Sequence, residues 1–162
     1  MDRQGMIAQI NSNLFAPLIG QTAHGCWLGY GSVLFLEFGQ PQPLRDGRAH
    51  PSCEWGLRSD QIEWRIEQRD QIIAGSEDDR ATMENGIEQI GGKTFVSGEI
   101  LQPSGDSVLK FSDDLVLRTF VVSSEEDSRW IFRDREGRYF HLGPDRAYPE
   151  EQPLLQAGQE SR

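Results

Sequence analysis

Ile19-Gly20-Gln21-Thr22, Ser32-Val33-Leu34-Phe35-Leu36 and Trp64-Arg65-Ile66 return later in the chain, in the same order, as Gly92-Lys93-Thr94, Ser107-Val108-Leu109-Lys110-Phe111 and Trp130-Ile131-Phe132. Each series ends in a glycine, Gly75 in the first and Gly143 in the second. Gly-to-Ser spacing is 12 and 15 residues, and the largest surplus in the first series falls on Gln40–Pro51, where Pro and Gly cluster as in a loop. An ordered return of turn, apolar strand and Trp strand predicts an internal repeat, with Trp64 and Trp130 anchoring the interior of each copy.

A helix is expected ahead of each copy. Ile7, Ile10, Leu14 and Leu18 fall at helical intervals, with Pro17 ending the helix. In the second copy Ser76 is the expected cap, followed by Glu77, Asp78 and Asp79 where acids oppose the helix dipole. Met83, Ile87 and Ile90 form its apolar stripe, and Gly91-Gly92 releases the chain. The rest reads as strands. Leu115–Val122 is rich in β-formers, and Glu136-Gly137 joins Arg129–Arg135 to Arg138–Leu142 as a hairpin. Local pairing of this kind favours antiparallel sheets. The expected fold is therefore α+β and β-rich: two helix-plus-antiparallel-strand repeats, about residues 5–75 and 76–145, sharing one core. A single globular domain spans 1–145, and 146–162 is expected to be a flexible tail, since Tyr148-Pro149-Glu150-Glu151-Gln152-Pro153 offers little to bury.

The 162 residues carry 26 Asp and Glu against 16 Lys and Arg, a formal charge of −10. Phosphate contact needs a positive footprint, so nucleic acid is not an expected partner. Of the cations only Lys93 and Lys110 are lysines, and arginine favours forked pairing with carboxylates inside the protein. The strip Arg129–Arg138 is interrupted by acids and reads as the solvated side of a hairpin. No apolar run reaches the roughly 20 residues of a membrane span, and the first twenty residues lack a signal-peptide pattern. The expectation is a cytoplasmic protein with no membrane partner.

Four side chains carry metal-ligating chemistry at close spacing: His24 and Cys26, then His50 and Cys53, the ligand types of tetrahedral zinc. His-x-Cys on a strand does not wrap a turn as zinc sites do, so ordinary buried thiols are the competing expectation. No third group orients a Cys–His pair for nucleophilic catalysis, and the thiols are expected free. Gly25-Cys26-Trp27-Leu28-Gly29-Tyr30-Gly31 matches neither dinucleotide nor P-loop spacing and reads as a β-turn, so no cofactor is expected. Trp27 and Trp55 have no counterpart in the other copy, which makes them weaker core candidates and, if exposed, the natural anchors of a partner interface. Asp113-Asp114 and Glu125-Glu126-Asp127 are acidic turns suited to docking a basic protein.

The carriers Leu18-Ile19-Gly20, Leu34-Phe35-Leu36, Trp64-Arg65-Ile66 and Gly75-Ser76-Glu77, followed by Gly91-Gly92-Lys93, Leu109-Lys110-Phe111, Trp130-Ile131-Phe132 and Gly143-Pro144-Asp145, make residues 5–145 resemble small uncharacterised bacterial domains that include toxin-immunity proteins. That resemblance implies a non-enzymatic inhibitor that binds a basic toxin enzyme, and it brings no catalytic residues. The alternative is a small-molecule binder or enzyme with a pocket between the two repeats.

Overall fold

The computed structural model describes residues 15–43, 50–101, 103–124, 129–142 and 147–149. Short strands alternate with tight turns: β1 Ala23–Leu28, β2 Leu34–Pro41, β3 Cys53–Ser59, β4 Glu63–Gln68 and β5 Gln71–Gly75. Helix α1, Arg80–Ile87, then leads to β6 Phe95–Ile100, β7 Ser107–Phe111, β8 Leu115–Phe120, β9 Trp130–Arg133, β10 Tyr139–Leu142 and β11 Ala147–Pro149. These strands build two antiparallel sheets, β1-β2-β3-β9-β10-β11 and β6-β7-β8-β4-β5. The first sheet therefore takes strands from both ends of the chain, and the second takes its strands from the middle, Glu63–Phe120. The long-range seams are β3 against β9 and β4 against β8.

Apart from β11, which has no counterpart, the two strand orders convert into one another when β1–β5 and β6–β10 are exchanged. Registers agree as well. Leu36 pairs with Leu57 and Leu57 with Phe132 in one sheet, and Leu109 with Leu117 and Leu117 with Ile66 in the other. Irregularities in register fall at Ala23/Gly25 and at Phe95/Ser97, whereas those at Phe38/Pro41 and Ile66/Glu67 have no counterpart. The segments leading into β1 and β6 meet at a lone antiparallel bridge, Thr22 to Thr94. Around it the Gly20 N–H donates to the Phe95 carbonyl (2.9 Å) and the Gly92 N–H to that of Ala23 (2.8 Å). Ala23 N–H likewise donates to Lys93 O (2.8 Å), and Phe95 N–H to Gln21 O (2.9 Å). Gly20 and Gly92 both take φ of 84°, a conformation costly for any residue with a Cβ.

Alternation places one face of each sheet inside. Leu34, Leu36 and Phe38 of β2, Leu115 and Leu117 of β8, and Trp64 and Trp130 are all buried in one cluster. Each such side chain contributes roughly 1.5–3 kcal/mol. Phe95 lies edge-on to Phe38 and to Phe111 (centroids 5.6 Å in both cases), closing the interior between the sheets. Trp64 pairs in register with Thr119, and Trp130 with Ser59. Their indoles are satisfied too: Trp64 Nε1–H donates to Ser32 O (2.7 Å) and Trp130 Nε1–H to Ser107 Oγ (3.0 Å).

Several expectations need correction. Gly25–Leu28 belongs to β1, with only Gly29–Gly31 turning the chain. The cap of α1 is Asp79, whose carboxylate accepts the Thr82 N–H (2.9 Å), not Ser76. Ser76 is drawn back to the sheet, where its hydroxyl accepts the Trp64 N–H and bonds Glu63. Gly86 inside the helix has a packing reason, since a Cβ there would lie 2.3 Å from that of Ala74. Arg129 and Arg133 are withdrawn from water rather than lining a solvated hairpin face. Ala147–Pro149, placed in the tail from sequence, pairs with β10. The expected helical residues Ile7, Ile10 and Leu14, the turn at Gly143 and the segment beyond Pro149 lie outside the described residues, while Leu18 ends a 3-10 turn, Ala16–Leu18.

Candidate functional site

The four candidate metal ligands do not converge. His24 is exposed on β1, Cys26 packs half-buried opposite Leu36, and Cys53 is buried opposite Pro41. His50 stacks on the Trp27 ring at 4.3 Å. Among the described residues, no group of three or more His, Cys, Asp or Glu gathers as a metal would require. Both thiols are free, and neither is poised as a nucleophile. Burial raises the Cys26 thiol above its ordinary range. Burial together with the nearby Glu37 and Glu54 carboxylates pushes Cys53 up to about 11, against the pull of Arg133.

A recessed ion pair lies on the outward side of the first sheet. Arg133 forks onto Glu37 (2.9 and 2.6 Å) and reaches the Cys53 carbonyl (3.0 Å), while the Cys53 N–H donates to the same carboxylate (3.2 Å). Burial opposes the guanidinium charge, but the Glu37 hydrogen bond and charge outweigh it and hold Arg133 above its usual value. Gly56 lies between the two in register, on β3. The pair ties β2 to β9 across a strand that offers no side chain, which is an architectural role.

The sequence-predicted partner residues divide. Trp55 is buried, with the Arg135 guanidinium 5.5 Å over its ring, so it is no anchor. Trp27 is half-buried between His50 and Phe35. Asp113 and Asp114 form a two-residue turn with φ of 61° and 59°. They are already partnered, Asp113 by Lys93 (2.8 Å) and Asp114 by Arg69 (3.8 Å). The Lys93 hydrogen bond and charge hold the Asp113 carboxyl below its usual range. Glu125, Glu126 and Asp127 lie outside the described residues.

A different surface gathers more binding features. The β1–β2 loop carries Tyr30 at 98% exposure. Its backbone is gripped twice: Arg80 Nη1 donates to Gly29 O and Gly31 O (both 3.3 Å), and the Trp64 indole holds Ser32 O. Arg80 opens α1 directly after Glu77-Asp78-Asp79. Of these, Glu77 and Asp78 border a shallow depression of about 280 Å³ with Glu63, Arg65, Ile72 and Phe120 in its wall. Asp78 is fixed by the Gly75 N–H (2.9 Å), and Arg65 lies 5.0 Å over the Phe120 ring. Sequence reasoning assigned Glu77, Asp78 and Asp79 to helix capping and solvation, and it passed over Tyr30 as part of a turn. Only the exposure of Tyr30 and the Arg80 grip, neither legible in a linear pattern, bring them together. No family model, curated protein or solved structure matches the chain.

Proposed function

We propose that this chain is a non-enzymatic acidic module that binds a basic protein, in the manner of an immunity-type inhibitor. The observation that carries this reading is the disposition of charge. Arg65, Arg69, Arg80, Lys93, Arg118, Arg133, Arg135 and Arg138 each hold a carboxylate of the protein itself. Asp70, Glu77, Glu88 and Glu99 stay in water, within a chain of net charge −10. Arg58 and Lys110 are exposed outside these pairs, but most of the described cations are engaged internally, which leaves an excess of negative field to steer a positive partner. The test is affinity capture from the native host at low ionic strength, with mass-spectrometric identification of what salt releases. A basic protein that recurs and then binds in purified form supports the reading. Repeated captures that yield no salt-released basic protein refute it.

We also infer that β1–β5 and β6–β10 are two copies of one five-stranded unit, each completing the other's sheet. The exchangeable strand orders, the matching registers and the reciprocal hydrogen bonds around Thr22 and Thr94 support this. The space between the sheets is filled by Phe38, Phe95 and Phe111, which favours a binding surface on the outside over a ligand pocket between the copies.

A further inference from the structure

We infer that the basic partner docks on the Tyr30 loop and the acid-walled depression beside α1, with one cationic side chain entering the depression and Tyr30 packing against the partner's backbone or a second cation. This rests on the acidic-module reading above and assigns it a place. The first argument concerns Tyr30. A tyrosine exposed at 98% adds nothing to the core, yet its loop is held by Arg80 and by the Trp64 indole. Such restraint removes ordering cost on association, and tyrosine is over-represented among residues that dominate binding energy.

The second argument is the chemistry of the depression. Glu63 is oriented by Ser76, Asp78 by the Gly75 N–H, and Glu77 is exposed beside them. Phe120 already presents its ring face to one guanidinium, that of Arg65, and Ile72 is exposed at 66% on the same wall. Fixed carboxylates over an aromatic and aliphatic floor suit the long apolar stem and charged head of an arginine or lysine. Neither Asp113-Asp114 nor the recessed Glu37–Arg133 pair offers this, because both are satisfied within the chain.

The probe is nona-arginine, titrated into the full-length protein at low salt, with backbone amide shifts followed by NMR and affinity read from a fluorescent label on the peptide. Shifts centred on residues 29–33, 63–65, 75–80 and 120 are expected. Tyr30→Ala and Glu77→Gln should each weaken binding by about fivefold to tenfold, whereas the charge-matched Glu99→Gln and Asp70→Asn should cost less than about twofold. Shifts spread over the whole surface, or equal losses for all charge variants, overturn this site and leave the acidic-module reading standing. Failure of both nona-arginine and the host capture to reveal any salt-sensitive binding removes both.

Discussion

Gly56→Ala should destabilise the protein, although most arguments about glycine point the other way. Gly56 is not among the residues with positive φ, so alanine fits its backbone, and a strand position of this kind favours alanine by about 0.5–1 kcal/mol. A Cβ there, however, would lie 2.8 Å from Arg133 Nη1, 3.0 Å from Cζ and 3.1 Å from Nη2. The guanidinium would have to leave the plane in which it forks onto Glu37. The side chains of Arg133 and Glu37 are 18% and 7% exposed, so little solvent is at hand to compensate. Overpacking costs about 1–3 kcal/mol and stranding a buried charge about 3–5 kcal/mol. Partial retention of the pair and the backbone gain reduce the sum, and a net loss of about 3 kcal/mol is expected.

Urea denaturation measures this directly, as a lower midpoint at unchanged slope. The melting temperature should fall by about 6–12 °C. The decisive comparison repeats Gly56→Ala in a chain already carrying Glu37→Met and Arg133→Leu. With no ion pair to disturb, alanine should there be neutral or stabilising by about 0.5 kcal/mol. Equal destabilisation in both backgrounds would mean that the methyl group clashes with something else and that the pair is incidental. A stabilised single variant would refute the steric argument outright.

Asp114→Gly should stabilise the chain by about 0.5 kcal/mol in the same assay, since it relieves a left-handed residue at φ 59° and gives up only an exposed 3.8 Å pair. Native protein at pH 8 should react slowly with a thiol reagent at both cysteines and release two equivalents on denaturation, because burial holds both thiols protonated. Asp113, lowered by Lys93, contributes stability that is complete above the unfolded carboxylate range and is lost as pH falls through its folded value. Asp113→Asn should therefore flatten the stability profile below about pH 4 and leave it unchanged in shape near neutrality. Trp64→Phe and Trp130→Phe should each cost about 2–3 kcal/mol, through a lost indole hydrogen bond and a cavity. Losses differing by more than about 2 kcal/mol would speak against equivalent positions in two copies.

Local chemistry was the legible part of this sequence. The hairpin of β9 and β10, the turn at Asp113-Asp114 and the buried stripe Met83, Ile87 and Ile90 follow from turn residues and apolar spacing, which act over a few positions. The cap failed because Ser76 and Asp79 are equally good oxygen acceptors, and only pairing with Trp64 takes Ser76 away. Strands β1 and β6 were obscured by Gly25 and Gly98, which look like loop residues. Gly98 instead makes room for the Phe15 ring, since a Cβ there would lie 2.7 Å from it. The solvated reading of the Arg129–Arg138 strip failed because periodicity cannot reveal that β9 enters the middle of a sheet begun at Ala23, 107 residues earlier. Tyr30 was invisible as a candidate because exposure is a property of the finished surface.

The outward faces of the two sheets explain how one strand pattern can carry two surfaces. Glu37, Gly56 and Arg133 stand in a row across β2, β3 and β9, and Lys110, Val116 and Glu67 stand in the corresponding row across β7, β8 and β4. The outer charges are reversed in sign, and the middle residue differs by a side chain. Without a Cβ at Gly56 the guanidinium lies across the strand and closes on its carboxylate. With Val116 in the middle, Glu67 turns along the sheet instead, accepting from Arg65 and Arg118 (2.8 and 2.9 Å). That arrangement sets Arg65 over Phe120 and shapes the wall of the depression, whereas the Glu37–Arg133 arrangement sinks its charges into the sheet. The middle residue of the row thus differs between a face whose charges are recessed and a face whose charges remain partly exposed.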